Sequence, residues 1–220
     1  MLKYIGVIDS NSVVTMNHLN ISEIMLGGKK FFEAIFDQFD IYTPDYIKNN
    51  ERNAIIDYES RFNVDIEENA YDNITIIQRT CFYNCYRVIQ KITCDYQNIH
   101  EGEKWCLALS LYLSRMNGNI VFLFSDDLKA INNGLKKIFE QHKIGFVMNT
   151  LDFILHNYFR KNLWSTIQIR KCIQEYFQLH QIKDNGKMKI LYHKLLTDAC
   201  RNIGLKYDLC NRSCYNNGSY

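Results

Sequence analysis

Residues 120–131, IVFLFSDDLKAI, run from five unbroken apolar residues directly into Ser125, Asp126 and Asp127. A second apolar run, KYIGVID at residues 3–9, also ends on a carboxylate, Asp9. Glu103 stands in the first turn expected for the apolar segment EGEKWCLALSLYLSRM, residues 101–116. If the two runs are parallel strands of one sheet, their acids leave it at the same edge, where ligands of open α/β sheets bind. Carboxylates gathered there repel one another unless they are protonated or share a hard divalent cation, Mg²⁺ or Mn²⁺, which takes oxygen ligands. Such an ion beside a phosphodiester activates water and polarises the phosphoryl oxygen. Each acid alone is better explained by helix capping or turn chemistry, because a cap followed by first-turn acids complements the helix dipole. Only their conjunction favours the metal.

The elements needed to position these acids are legible in the pattern. After the first strand, a helix is expected from Ser12, a second over residues 29–39, and a short strand at DIYTP, residues 40–44, stopped by Pro44. Residues 46–58 read as helix, 64–73 as an acidic connection and 80–93 as helix, whereas NITIIQ at 73–78 suits either a strand or a helix start. NIVFLF has apolar residues on both faces, as a central parallel strand does. A helix follows it, then a strand at 144–149, and helices from Thr150 onward. The expected fold is α/β: a mostly parallel central sheet of four or five strands flanked by helices, with a C-terminal helical extension. Residues 1–160 form the expected domain, and residues 161–220 the extension with a frayed end.

Composition sets the remaining bounds. The 220 residues are 47% hydrophobic and 23% charged with one proline, which fits an ordered, helix-rich chain. Net charge is +2, but residues 1–159 carry 15 Lys/Arg against 20 Asp/Glu, and residues 160–220 carry 11 against 4. An acidic body with a basic tail suits a protein that handles a polyanion, and equally a solvated basic helix pair. The N-terminus lacks a signal-peptide pattern, and no apolar run approaches the ~20 residues of a membrane span, so a cytoplasmic protein is expected. The eight cysteines then read as free thiols. Cys81/Cys85 and Cys210/Cys214 have allowed zinc spacing without an evident second pair for either.

The order of these features, VID-x-N, then Gly102-Glu103, then SDD-LKA, then IGFVMNTLDFIL, resembles the PIN domain family over roughly residues 3–160. The resemblance implies a metal-dependent endonuclease acting on RNA, as in the toxin of a toxin–antitoxin pair, with an antitoxin or other protein partner and a homodimer as further expectations. It makes Asp9, Glu103 and Asp127 metal ligands and catalytic residues, and Asp126 a fourth or the cap. It aligns Ser125 and Asn11 with small polar positions beside the acids. Where the family commonly has a glutamate six residues beyond the proline, this chain has Asn50, with Glu51 next. On a continuous helix that one-residue step turns the side chain by about 100°, which leaves Asn50, through its carbonyl oxygen, and Glu51 as the two alternative candidates for a further metal ligand. The alternative is therefore a catalytically weakened PIN-like interaction or nucleic-acid-binding module. For holding RNA phosphates, the candidates are Arg160, Lys161, Arg170, Lys171 and Lys187, interleaved with aromatics such as Tyr158, Trp164 and Tyr176 that suit either base stacking or a helical core.

Overall fold

The computed structural model describes residues 4–22, 24–66, 69–94, 96, 99–118, 120–127, 134–161 and 166–180. Five strands form one all-parallel sheet: β1 (Tyr4–Ile8), β4 (Phe39–Pro44), β5 (Thr75–Ile77), β6 (Val121–Phe124) and β7 (Gly145–Met148), in the order β5-β4-β1-β6-β7. Its central strand, β1, has neighbours on both sides and helices above and below, which is why YIGVI carries no polar residue. Gly6 in β1 is small for a packing reason: a Cβ there would come within 2.6 Å of the Ile41 side chain.

The helices are α1 (Ser10–Ile21), α2 (Phe31–Phe36), α3 (Asp45–Asn50), α4 (Asn53–Phe62), α5 (Tyr83–Ile92), α6 (Glu101–Asn117), α7 (Lys136–Gln141), α8 (Thr150–Lys161) and α9 (Thr166–Leu179). The α6 helix is buried along most of its length between Trp105 and Leu113, and stops at Gly118, whose φ of +62° is the left-handed cap the Asn-Gly pair favours. Phe39 is a hub of edge-on aromatic contacts to Phe122, Phe124 and Phe153, tying β4, β6 and α8 together.

Several local expectations are refined. The ambiguous 73–78 segment is the edge strand β5, paired with β4. Residues 29–39 are only partly helical: Met25–Leu26 (β2) and Lys29–Lys30 (β3) form a two-stranded antiparallel hairpin around Gly27 and Gly28, with φ of +60° and +84°. Positive φ at both central positions is what a tight hairpin turn of this type demands, and glycine supplies it without strain. The expected helix after Asp127 is described only from residue 134, and the helix expected near residues 186–204 lies outside the described residues.

Beyond residue 160, α9 packs across α1, burying Cys172, Ile173, Tyr176 and Leu179. Polar contacts reinforce the seam. His18 Nε2 and Glu175 Oε2 are 3.1 Å apart, His18 Nδ1 lies 3.1 Å from the Tyr58 hydroxyl, and the Arg61 guanidinium donates to the carbonyls of Gln178 and Leu179 at the end of α9. A cation on those last carbonyls complements the helix dipole. Among the described residues, no helix is long and apolar enough to cross a membrane.

Gly145 begins β7 with φ of +156°, and a Cβ there would lie 1.9 Å from the backbone oxygen of Val121 on β6. Backbone cannot yield as a side-chain tip can. Gly145→Ala is expected to lower unfolding free energy by about 2 kcal/mol, read as a lower urea midpoint at unchanged slope.

Candidate active site

The register Ile8↔Phe124 brings the ends of β1 and β6 level, so Asp9 and Ser125 emerge side by side at the carboxyl edge of the sheet. The two chains are tied there: Asp9 N–H donates to Phe124 O at 3.2 Å, and Thr43 Oγ1 donates to Ile8 O at 3.0 Å from β4. Asp9 is also the N-cap of α1, accepting from Ser12 N–H at 2.8 Å. Its carboxyl is buried, and burial pushes it up to about 7; the neighbouring Ser125 hydroxyl and the Ser12 N–H pull the other way, while Asp126 adds to the rise. Ser12 Oγ and Ser125 Oγ are nevertheless buried without a hydrogen bond of ordinary geometry.

Asp126 is fully engaged. Thr150 N–H donates to Oδ1 at 2.9 Å, Thr150 Oγ1 to Oδ2 at 2.6 Å, and Tyr176 O–H to Oδ1 at 3.1 Å. The acid therefore caps α8, the helix after the neighbouring strand, and anchors α9 to the sheet edge. Asn149 and Asp152 complete that helix start by exchanging backbone-to-side-chain bonds of 3.2 and 2.6 Å.

Glu103 reaches the same edge from the start of α6, its carboxylate accepting from His100 N–H at 2.6 Å. Burial raises it to about 7 against that hydrogen bond, and the charges of Asp127 and Glu51 raise it further. Asp127 is half-buried and within charge range of Glu103. The residues expected to flank the family's second acid separate cleanly: Asn50 is exposed, whereas Glu51 accepts from Ser10 Oγ at 2.5 Å beside the start of α6. Glu51 is the C-cap of α3, with φ −113° and ψ 30°, so the chain has left the helix and the 100° step no longer sets its direction. Gly102 makes room for it; a Cβ at that position would lie 1.9 Å from Glu51 Oε1.

Cys106, one turn into α6, sits behind these acids with its thiol directed at Ile8 O, 3.8 Å away. Burial holds that thiol protonated well above its usual range, and Asp9, Glu51 and Glu103 all add to the effect. Three acids from α6, α3 and the end of β1 thus act on one buried point. Tyr71, pushed up first by burial, lies within the fields of Glu51 and Asp9. No sequence signal marked Ser10, Thr150 or Tyr176 as partners of the acids.

The donors are hard oxygens, the class that Mg²⁺ or Mn²⁺ takes, and the buried Ser125 hydroxyl lies beside Asp9 among them. Among the described residues, however, no group of three His, Cys, Asp or Glu side chains stands close enough to hold a metal ion. Of the expected phosphate-binding residues, Lys171 is exposed and donates to Ser22 O at 3.1 Å. The side chains of Arg160, Lys161 and Arg170 lie outside the described residues, as do Lys187, Cys210 and Cys214 entirely. No protein-family model, curated protein or solved structure matches the chain.

Proposed function

We propose that the chain is a metal-dependent endoribonuclease that hydrolyses phosphodiester bonds at the carboxyl edge of its sheet. The observation that carries this reading is the convergence there of Asp9, Glu51, Glu103, Asp126 and Asp127 from four separate points of the sequence, in the strand and motif order for which the chain resembles the PIN domain family. Asp9, Glu103 and Asp127 are the proposed ligands of Mg²⁺ or Mn²⁺, with Glu51 supplying the acid that Asn50 does not. When bound, the cation supplies charge neutralisation, an activated water and polarisation of the phosphoryl oxygen. The chain's own groups do the positioning. His100 N–H and Ser10 Oγ fix the carboxylates of Glu103 and Glu51, and Ser12 N–H fixes that of Asp9. Asp126, saturated by Thr150 and Tyr176, holds the edge together rather than facing substrate.

A second reading, a catalytically weakened PIN-like module that binds RNA or a protein partner, is favoured by the absence of a closed three-residue ligand group among the described residues. Incubation with mixed single-stranded RNA separates the two. The nuclease reading expects internal cleavage with Mg²⁺ or Mn²⁺ and none in EDTA. Cleavage that persists in EDTA sinks the metal mechanism, and binding without cleavage under any divalent ion leaves the module.

A further inference from the structure

We propose that Tyr83, Tyr46 and Arg79 form a stacking site for the unpaired bases of a single-stranded nucleic acid, beside the acidic edge. The inference deepens the nuclease reading and rests on it for the identity of the strand that is cut. Its core is a cluster of rings from α3, α5 and α6. Tyr86 and Trp105 stack with centroids 3.6 Å apart and an interplanar angle of 8°, and both are buried. Tyr83 flanks this pair, 6.1 Å from Tyr86 and 6.4 Å from Trp105, and it is 51% exposed. On the other side Tyr46, half-buried, stacks on Trp105 at 6.1 Å and 24°.

Arg79 lies over two of these rings, its guanidinium carbon 5.4 Å from the Tyr46 ring centre and 5.7 Å from that of Trp105. Asp45 fixes it through a 3.1 Å contact to Nε and a 2.9 Å hydrogen bond from the Arg79 N–H. A guanidinium held over aromatic rings at a part-exposed position, its charge shared with Asp45, offers a base a polarised face. Core packing covers Trp105 and Tyr86, whereas Tyr83, beside them, keeps half of its surface open to a ligand ring.

Charge selects the occupant. Residues 79–94 carry Arg79, Arg87 and Lys91 and no acid, within a body of 15 basic against 20 acidic residues. Arg87 and Lys91 are exposed on α5. An apolar protein ligand gains nothing from that stripe, whereas a phosphate backbone does. Location points the same way. Trp105 follows Glu103 by two residues in α6, Tyr86 O–H donates to Glu101, and Tyr46 lies within the fields of Glu101 and Glu51. A strand whose bases stack here therefore runs past the helix end that carries Glu103.

Equilibrium binding of end-labelled single-stranded RNA, single-stranded DNA and duplex to the full chain, in EDTA at fixed salt, tests the site without requiring cleavage. Tyr83→Ala is expected to weaken single-strand binding by about ten-fold or more, the range of one lost base–aromatic stack. Tyr83→Phe, which keeps the ring, is expected to stay within about two-fold. RNA bound more tightly than DNA, or the two bound equally, both fit stacking, and the difference identifies the preferred sugar. Single-strand affinity unchanged in Tyr83→Ala, an equal loss in Tyr83→Phe, or duplex bound as tightly as single strands would overturn the inference. A chain that binds through Tyr83 but never cleaves would retain this site and lose the nuclease reading instead.

Discussion

Asp9→Asn is expected to reduce divalent-dependent RNA cleavage by at least about 100-fold, more than the loss usual for a partner that merely orients a ligand. The same change is expected to leave the fold intact. Asparagine keeps the side-chain oxygen that accepts from Ser12 N–H at the start of α1, so the cap survives. It also removes a carboxyl that burial makes costly to ionise. The signature is therefore a loss of kcat with unchanged or raised stability at pH 8, measured by single-turnover cleavage alongside urea unfolding. Asp126→Asn should behave differently. An amide at that position keeps at best part of the contact to Thr150 and Tyr176, so its main effect is expected on the seating of α8 and α9. Equal cleavage by wild type and Asp9→Asn would remove Asp9 from the chemistry.

The central fold was readable because burial on both faces writes itself into the strands. YIGVI and VFLF admit no other cheap explanation, and two such runs separated by helical segments imply parallel pairing. Short elements escaped for the opposite reason. Two-residue strands at Met25–Leu26 and Lys29–Lys30 hold no periodicity, and β5 is a three-residue edge strand with only partly buried side chains. Their existence is fixed by the glycine turn and by pairing to β4, which are tertiary facts.

The site was legible to the extent that topology alone determines it. Asp9 and Asp126 follow strands that lie side by side, so their sharing of one edge follows from parallel pairing. Glu51 is the instructive exception. Its direction was inferred from helical phase, but α3 ends at Asn50, and the cap conformation at Glu51 turns the carboxylate back toward Ser10. A phase argument fails wherever the helix stops one residue earlier than assumed. The role of Asp126 was hidden by distance along the chain: its donors lie 24 and 50 residues away, and nothing local distinguishes a ligand from an acid that caps someone else's helix.

Without a divalent cation, the stability of the protein is expected to fall as pH rises from about 4 to about 7. Burial moves the Asp9 carboxyl from 3.8 to about 7, and it moves Glu103 from 4.5 to about 7. Between those values the unfolded chain has released its protons while the folded chain still holds them, so each rise in pH favours unfolding. The stabilisation from the protonated carboxyls is complete below the unfolded values and gone above about 7. For fully buried Asp9 the span corresponds to roughly 4 kcal/mol, with a smaller contribution from the less enclosed Glu103. A divalent ion that binds the ionised acids makes the fall shallower, because it stabilises only the state that high pH produces and offsets part of the loss. At 100 times its Kd it adds about 2.7 kcal/mol. At pH 5 it must first displace protons, and its effect shrinks. Urea unfolding at pH 5, 6.5 and 8, in EDTA and in Mn²⁺, reads both slopes, and the difference between wild type and Asp9→Asn isolates this carboxyl from every other acid that titrates in the range. A wild-type stability that is flat across the window in EDTA would mean that Asp9 ionises freely in the fold. A Mn²⁺ shift as large at pH 5 as at pH 8, or as large in Asp9→Asn as in wild type, would place the ion away from this edge.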